Sequence, residues 1–209
     1  MYLRDAVKVA DAFKADPLGV FPKVVRFVLA TIQQQFQTVP DILEQWDVEG
    51  WEADTCWGMK KEGLKWLAHY KKWSPVALKL HECVREGDRV GGLDVLISIP
   101  GINTVKAAFI GQLCGLQTSC LDTQNCQLHG IKNIRVFHIP KNQTAKTRLA
   151  KIEAYLTLCD KLGTPAQFWN TWCEIIAAKY KGTSVFEDAD DVSALHASLI
   201  LSRVKSVPF

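Results

Sequence analysis

The sequence predicts an all-α protein, and three observations carry that expectation. Apolar residues recur three and four apart through most of the chain, the spacing that lines one face of a helix. Gly, Pro and Asp interrupt these stretches at short intervals, which leaves room for connectors but not for long loops. The one patch with strand-like alternation, Ile131, Ile134, Val136, Phe137 and Ile139, has no evident second strand and reads as an irregular connection. About ten helices with short links imply bundle-style packing.

Leu3, Val7, Ala10 and Phe13 mark an amphipathic first helix, which Pro17, Leu18 and Gly19 are expected to end. Pro22 suits the first turn of a second, with Val24, Val25, Val28, Leu29, Ile32 and Phe36 on its buried side. Val39-Pro40-Asp41 opens a short helix with Asp41 as cap and Ile42, Leu43 and Trp46 on the apolar face. Asp54 or Thr55 caps the next, where Trp57, Leu64, Trp66, Leu67 and Tyr70 interleave with Lys60, Lys61, Lys65, Lys71 and Lys72. That mixture fits either a face lying along phosphates or an ordinary solvated one.

Ser74-Pro75 begins another helix through Leu78, Leu80 and Val84, which Gly87 and Asp88 separate from a helix over residues 89–98. Toward the end, Leu149, Ile152, Leu156 and Cys159 stripe a helix over residues 144–162, punctuated by Gly163 and Pro165. Phe168, Trp169, Trp172, Ile175 and Ile176 stripe the next, and Asp190 is the expected cap of a last helix through Val192, Leu195 and Leu199.

A chain of 209 residues can bury a sizeable core, as one domain or as two lobes sharing a cleft. With 48% hydrophobic and 22% charged residues, extensive disorder is excluded. No apolar run approaches the roughly 18 residues that a membrane span needs. A net charge of +3 permits nucleic-acid binding without requiring it. The seven Cys (56, 83, 114, 120, 126, 159, 173) form no C-x-x-C and follow no secretory leader, so they read as reduced thiols of the cytoplasm, a reducing compartment. Even spacing of Cys114, Cys120 and Cys126 raises a metal site, but no His pair stands at zinc-finger spacing. They read instead as core residues, with no metal or cofactor expected.

The stretch that organises the chain is Ile99-Pro100-Gly101-Ile102-Asn103. Pro100 and Gly101 force a turn between the helix ending near residue 98 and a second, residues 104–115, in which Val105, Ala108, Phe109 and Leu113 recur at helical spacing. Asn103 stands where a second Gly would sit, because Asn tolerates positive φ. Backbone N–H groups at the start of that second helix favour a phosphate oxygen. Pro-Gly alone is common between any two helices; the signal lies in the whole run and in Asp122, 22 residues past Pro100.

That combination resembles the helix-hairpin-helix (HhH-GPD) DNA glycosylase superfamily, in which a Leu-Pro-Gly-Val-Gly hairpin holds DNA phosphates and a catalytic Asp follows at a similar distance. The resemblance implies an all-α, two-lobed fold with a cleft between the lobes. Residues 22–130 form the central lobe with the hairpin at 97–115, residues 1–21 and 131–209 the other, within a single unit of residues 1–209. It implies Asp122 as catalytic residue, phosphate binding through Gly101, Asn103, Thr104 and Lys106, and a monomer acting on double-stranded DNA with a flipped base. The four-Cys iron–sulfur loop of many members cannot be built, since only Cys159 and Cys173 lie in that region.

Ile32-Gln33-Gln34-Gln35-Phe36-Gln37 is similar to the Leu-Gln-Gln-Thr-Gln segment of the adenine-specific members, making Gln34 and Gln35 candidate wedges that fill the gap left by an everted nucleotide. A Gln run is otherwise plain solvated surface. The catalytic Glu of those members falls at Ala30, and the Lys nucleophile of strand-cutting members at Val105, with Lys106 turned about 100° away on a helix. The expected chemistry therefore uses Asp122 and water, with Gln124 and Asn125 lining the base pocket. Asp122 before Thr123 also reads as a plain helix cap. His129 and His138 are weaker site candidates, and Trp46, Trp51, Trp57 and Tyr70 candidate stacking platforms.

Three functions follow from the resemblance. The first is a monofunctional DNA glycosylase that flips a modified or mispaired base. The second is a transferase like those of some bacteriophages, which join an amine such as an amino acid to an activated 5-hydroxymethyl-pyrimidine in DNA. The third is a DNA-binding module without catalysis. A bacterial or phage-infected host cell is the implied setting.

Overall fold

The structure, a computed structural model, describes residues 1–132, 137–140, 143–180 and 187–202. These residues hold eleven α-helices and no strand. They are α1 (Lys8–Ala15), α2 (Pro17–Ala30), α3 (Val39–Glu49), α4 (Met59–Leu67), α5 (Tyr70–Glu86), α6 (Arg89–Ile97), α7 (Thr104–Leu113), α8 (Thr123–Leu128), α9 (Ala145–Leu162), α10 (Pro165–Lys179) and α11 (Ala189–Leu201).

The apolar run of α2 explains its place. Val24 to Ala30 is buried all round, so the helix must be enclosed, and α1, α3, α4, α5, α7 and α11 all pack on it. Its one charged member, Arg26, is paired by Asp47 of α3 and by the Leu43 carbonyl. The buried apolar side chains form one continuous cluster from α1 to α11. All seven Cys are buried free thiols within this packing.

Several helix boundaries differ from the expectation, each for a local reason. Pro17 does not end α1's neighbourhood but occupies the first position of α2, with Asp16 accepting the Gly19 N–H; Pro22 is then inside the helix. α2 stops at Ala30, short of Phe36. Thr38, not Asp41, precedes α3, and Gly58 rather than Asp54 or Thr55 precedes α4. The Thr55 hydroxyl is engaged by the Trp46 indole and Gln45. Ser74-Pro75 lies inside α5, because Tyr70 already starts that helix. Asp188, not Asp190, caps α11 through the Asp191 N–H. Within the patch read as an irregular connection, residues 133–136 lie outside those described.

The hairpin between α6 and α7 follows the sequence closely. Gly101 has φ +81°, and a Cβ there would stand 2.4 Å from the Met59 carbonyl oxygen, so both conformation and space require glycine. Asn103 does not take the positive φ expected of it. At φ −100° it is the cap of α7, its side chain accepting the Lys106 N–H at 3.0 Å. Ile99 and Ile102 are buried on either side, which leaves Pro100 and Gly101 half-buried and Asn103 exposed.

Candidate active site

A cavity of about 520 Å³ opens where five parts of the chain meet: the exit from α2 (Thr31 to Phe36), the start of α7, residues 120–125, α10 and α11. The sequence gives these segments a shared reason to converge. Each carries an apolar face toward the core and breaks that face with a few polar residues, and the polar residues gather at the cavity.

Asp122 is one of the residues that line it. It caps α8, one carboxylate oxygen accepting the Asn125 N–H at 3.0 Å, while the other accepts the Trp172 indole N–H from α10 at 2.7 Å. The cap and the cavity carboxylate are therefore the same residue. Burial raises the Asp122 pKa above the ordinary Asp value; the Asn125 N–H, the Lys106 charge and the Trp172 indole act in the opposite direction.

Lys106 corrects an expectation. A one-residue offset from Val105 was expected to turn it away, yet both residues line the cavity, and the Lys106 ammonium donates to the Thr31 hydroxyl at 3.0 Å. A flexible four-carbon stem lets the amine end on a different side from its Cβ. The ammonium also acts electrostatically on Asp122. Thr104 departs from its expected place as well: its side chain is 2% exposed and its hydroxyl donates to the Phe137 carbonyl at 2.7 Å, so only its backbone is left for a phosphate.

Gln34, Gln35, Asn103, Gln124 and Asn125 all line the cavity, whereas Gly101 does not. The Gln run leaves the helix through Gln33, at φ +54°, rather than extending it, so Gln34 and Gln35 sit on a turn at the rim. Gln35 accepts from the Gln37 amide at 3.2 Å. Of the weaker candidates, His129 tilts against Phe168 and His138 is exposed, and neither lines the cavity. Trp46 is core, Trp51 packs partly buried against it, and Trp57 and Tyr70 are exposed. Lys60 is 1% exposed, its ammonium 5.5 Å from the Trp57 ring, so it does not meet a phosphate.

Sequence reasoning missed His196. It sits on α11 at 1% exposure, ringed by Phe27, Phe36, Phe109, Trp169 and Trp172 at centroid distances from 4.5 to 6.3 Å. Burial lowers its pKa to about 4, so the ring is neutral at pH 7. The one available signal was a single His on an apolar stripe, which a satisfied core histidine shows equally. Trp169 and Trp172, read as helix core, are cavity walls.

Among the described residues, no group of three or more His, Cys, Asp or Glu is placed to hold a metal, and no helix is long and apolar enough to cross a membrane. Comparison with family models, curated proteins and solved structures finds no match to this chain.

Proposed function

We propose that this chain acts on bases in DNA as a monofunctional glycosylase, everting a modified or mispaired nucleotide into the cavity and hydrolysing its bond to deoxyribose. The observation that supports this most is the meeting of Lys106, Asp122 and the glutamine turn in one cavity beside the α6–α7 hairpin. A volume of about 520 Å³ accommodates a base with its sugar, and the aromatic walls offer stacking surfaces.

As the C1′–N bond breaks, the base leaves with the electron pair and positive charge grows on the sugar. An ionised Asp122 stabilises that charge, water adds its hydroxyl to C1′, and its proton goes to the departing base. The raised pKa sets the pH limb: activity climbs as pH rises through a value above the ordinary Asp range, because the carboxylate is the working form. Duplexes carrying single defined lesions, incubated and then treated with alkali, test the reading. Strand breaks at the lesion are expected with wild type and not with Asp122→Asn; turnover surviving in Asp122→Asn would overturn the assignment.

Lys106 favours a second reading. Its amine shares the cavity with Asp122. Once the ammonium has given a proton to the carboxylate, the amine attacks C1′, and the base leaves with the electron pair of the C1′–N bond and takes a proton from the attacking nitrogen. The C1′–O4′ bond then breaks, O4′ taking the Asp122 proton, to leave the protonated imine. Borohydride would then trap a covalent protein–DNA adduct, lost in Lys106→Gln. A mass gain on 5-hydroxymethyluracil nucleosides, given an activated base and an amine, would instead identify the transferase.

A further inference from the structure

Two residues that line the cavity each bury one polar atom with no protein partner, and the chemistry of each atom can be read from what its neighbour on the same side chain does. Asn125 is 2% exposed and donates its amide N–H to the Cys120 carbonyl at 2.9 Å. A carbonyl only accepts, so this contact fixes the amide's orientation and leaves Oδ1 as a free acceptor. His196 meets the Val192 carbonyl through Nδ1 at 2.9 Å. By the same argument Nδ1 carries the proton, and on a neutral ring Nε2 is a bare lone pair, also unpartnered.

Both residues line the same cavity as Asp122, whose carboxylate is a third acceptor. Thr118 and Trp73 also bury an unpartnered polar atom, but neither lines the cavity. A buried acceptor left unpaired carries a desolvation cost, which a ligand donor recovers on binding. Three acceptors with flanking aromatic rings therefore select for N–H donors on a flat or cationic group.

We infer that this cavity binds an amino group, which the acceptors Asn125 Oδ1, His196 Nε2 and the Asp122 carboxylate receive. On the glycosylase reading, on which this source of the group rests, it is the exocyclic amine of the everted base. A free primary amine used as co-reactant is the other source with the same chemistry.

The test uses full-length protein and duplexes holding one nucleotide opposite an abasic site, so that eversion costs little. Adenine is compared with purine, and cytosine with pyrimidin-2-one; each second member lacks only the amino group. A 2′-fluoro sugar blocks bond cleavage, and affinity is read by fluorescence anisotropy at fixed salt. The amino-bearing member of each pair is expected to bind about tenfold tighter or more, as one donor–acceptor bond to a buried group requires, and the preference is lost in Asn125→Leu and in His196→Phe. In parallel, 1,4-diaminobutane is titrated against wild type and Asn125→Leu in a thermal shift.

Equal affinities for both members of each pair, with a saturable Tm rise from the diamine in wild type only, assign the group to a free amine. Equal affinities with no diamine effect overturn the inference while leaving the DNA reading intact. Failure to bind any duplex at low salt overturns the DNA reading, and the diamine titration then decides alone whether the cavity takes an amine.

Discussion

Arg26 and His196 are both polar side chains sunk among apolar helices, at 6% and 1% exposure, and the molecule treats them in opposite ways. Arg26 donates to the Asp47 carboxylate at 2.5 Å and to the Leu43 carbonyl at 2.9 Å, tying α2 to α3. His196 satisfies one ring nitrogen against its own helix and leaves the other bare, and it lines one cavity with Asn125, whose amide oxygen is also bare, and with Asp122, whose pKa is raised. A polar group that holds the fold together is paired, because an unpaired one costs stability. A polar group left unpaired at a cavity is being held for something else.

Removing the central carboxylate gives the largest expected effect. Asp122→Asn should lower base release by about a thousandfold; Asn keeps the α8 cap with its oxygen but sets its NH2 against the Trp172 indole N–H, so only about 1–2 kcal/mol of stability goes with it. A matching loss of stability would place Asp122 in the Arg26 class instead. On the structural side, Asp47→Ala takes from Arg26 its carboxylate and should cost about 3 kcal/mol in urea unfolding with little change in activity per folded molecule.

The pH dependence of stability sharpens the contrast further. His196 stays neutral in the fold down to about 4, whereas in the unfolded chain it protonates near the ordinary His value of 6.5. The folded state thus binds fewer protons, and this contribution is intact above pH 6.5 and lost as pH falls toward 4. The loss is about 3 kcal/mol. Asp122 acts with the opposite sign, since a raised carboxyl pKa makes stability fall as pH rises from the ordinary Asp value. Comparing wild type with His196→Phe isolates the histidine: the variant should match wild type at pH 7.5 to within about 1 kcal/mol and lose less on acidification.

The smallest effect on the chemistry belongs to the hairpin. Gly101→Ala should destabilise by about 3 kcal/mol, from positive φ together with the clash against the Met59 backbone carbonyl, and should weaken duplex binding without changing the pH profile. Unchanged stability would mean that the turn is looser than its geometry indicates.

What the sequence determined by itself was local. Helical spacing marked the all-α class and the α6–α7 hairpin, and turn and cap chemistry marked Gly101 and Asp122, whereas Asn103 was singled out for a positive φ and instead caps α7. Helix ends were misplaced around Pro17, Phe36 and Pro75 because Pro is compatible with a helix's first turn, with its stop and, in α5, with its interior. What only the tertiary structure decided was which distant side chains share a space. Asp122 and Trp172 are 50 residues apart along the chain and 2.7 Å apart in the fold. The reach of Lys106 back to Thr31 depends on side-chain path rather than helical angle. The bare nitrogen of His196 depends on what five aromatic rings exclude. Periodicity tells a residue which way to face, but whether it finds a partner there is set by helices whose sequence lies elsewhere.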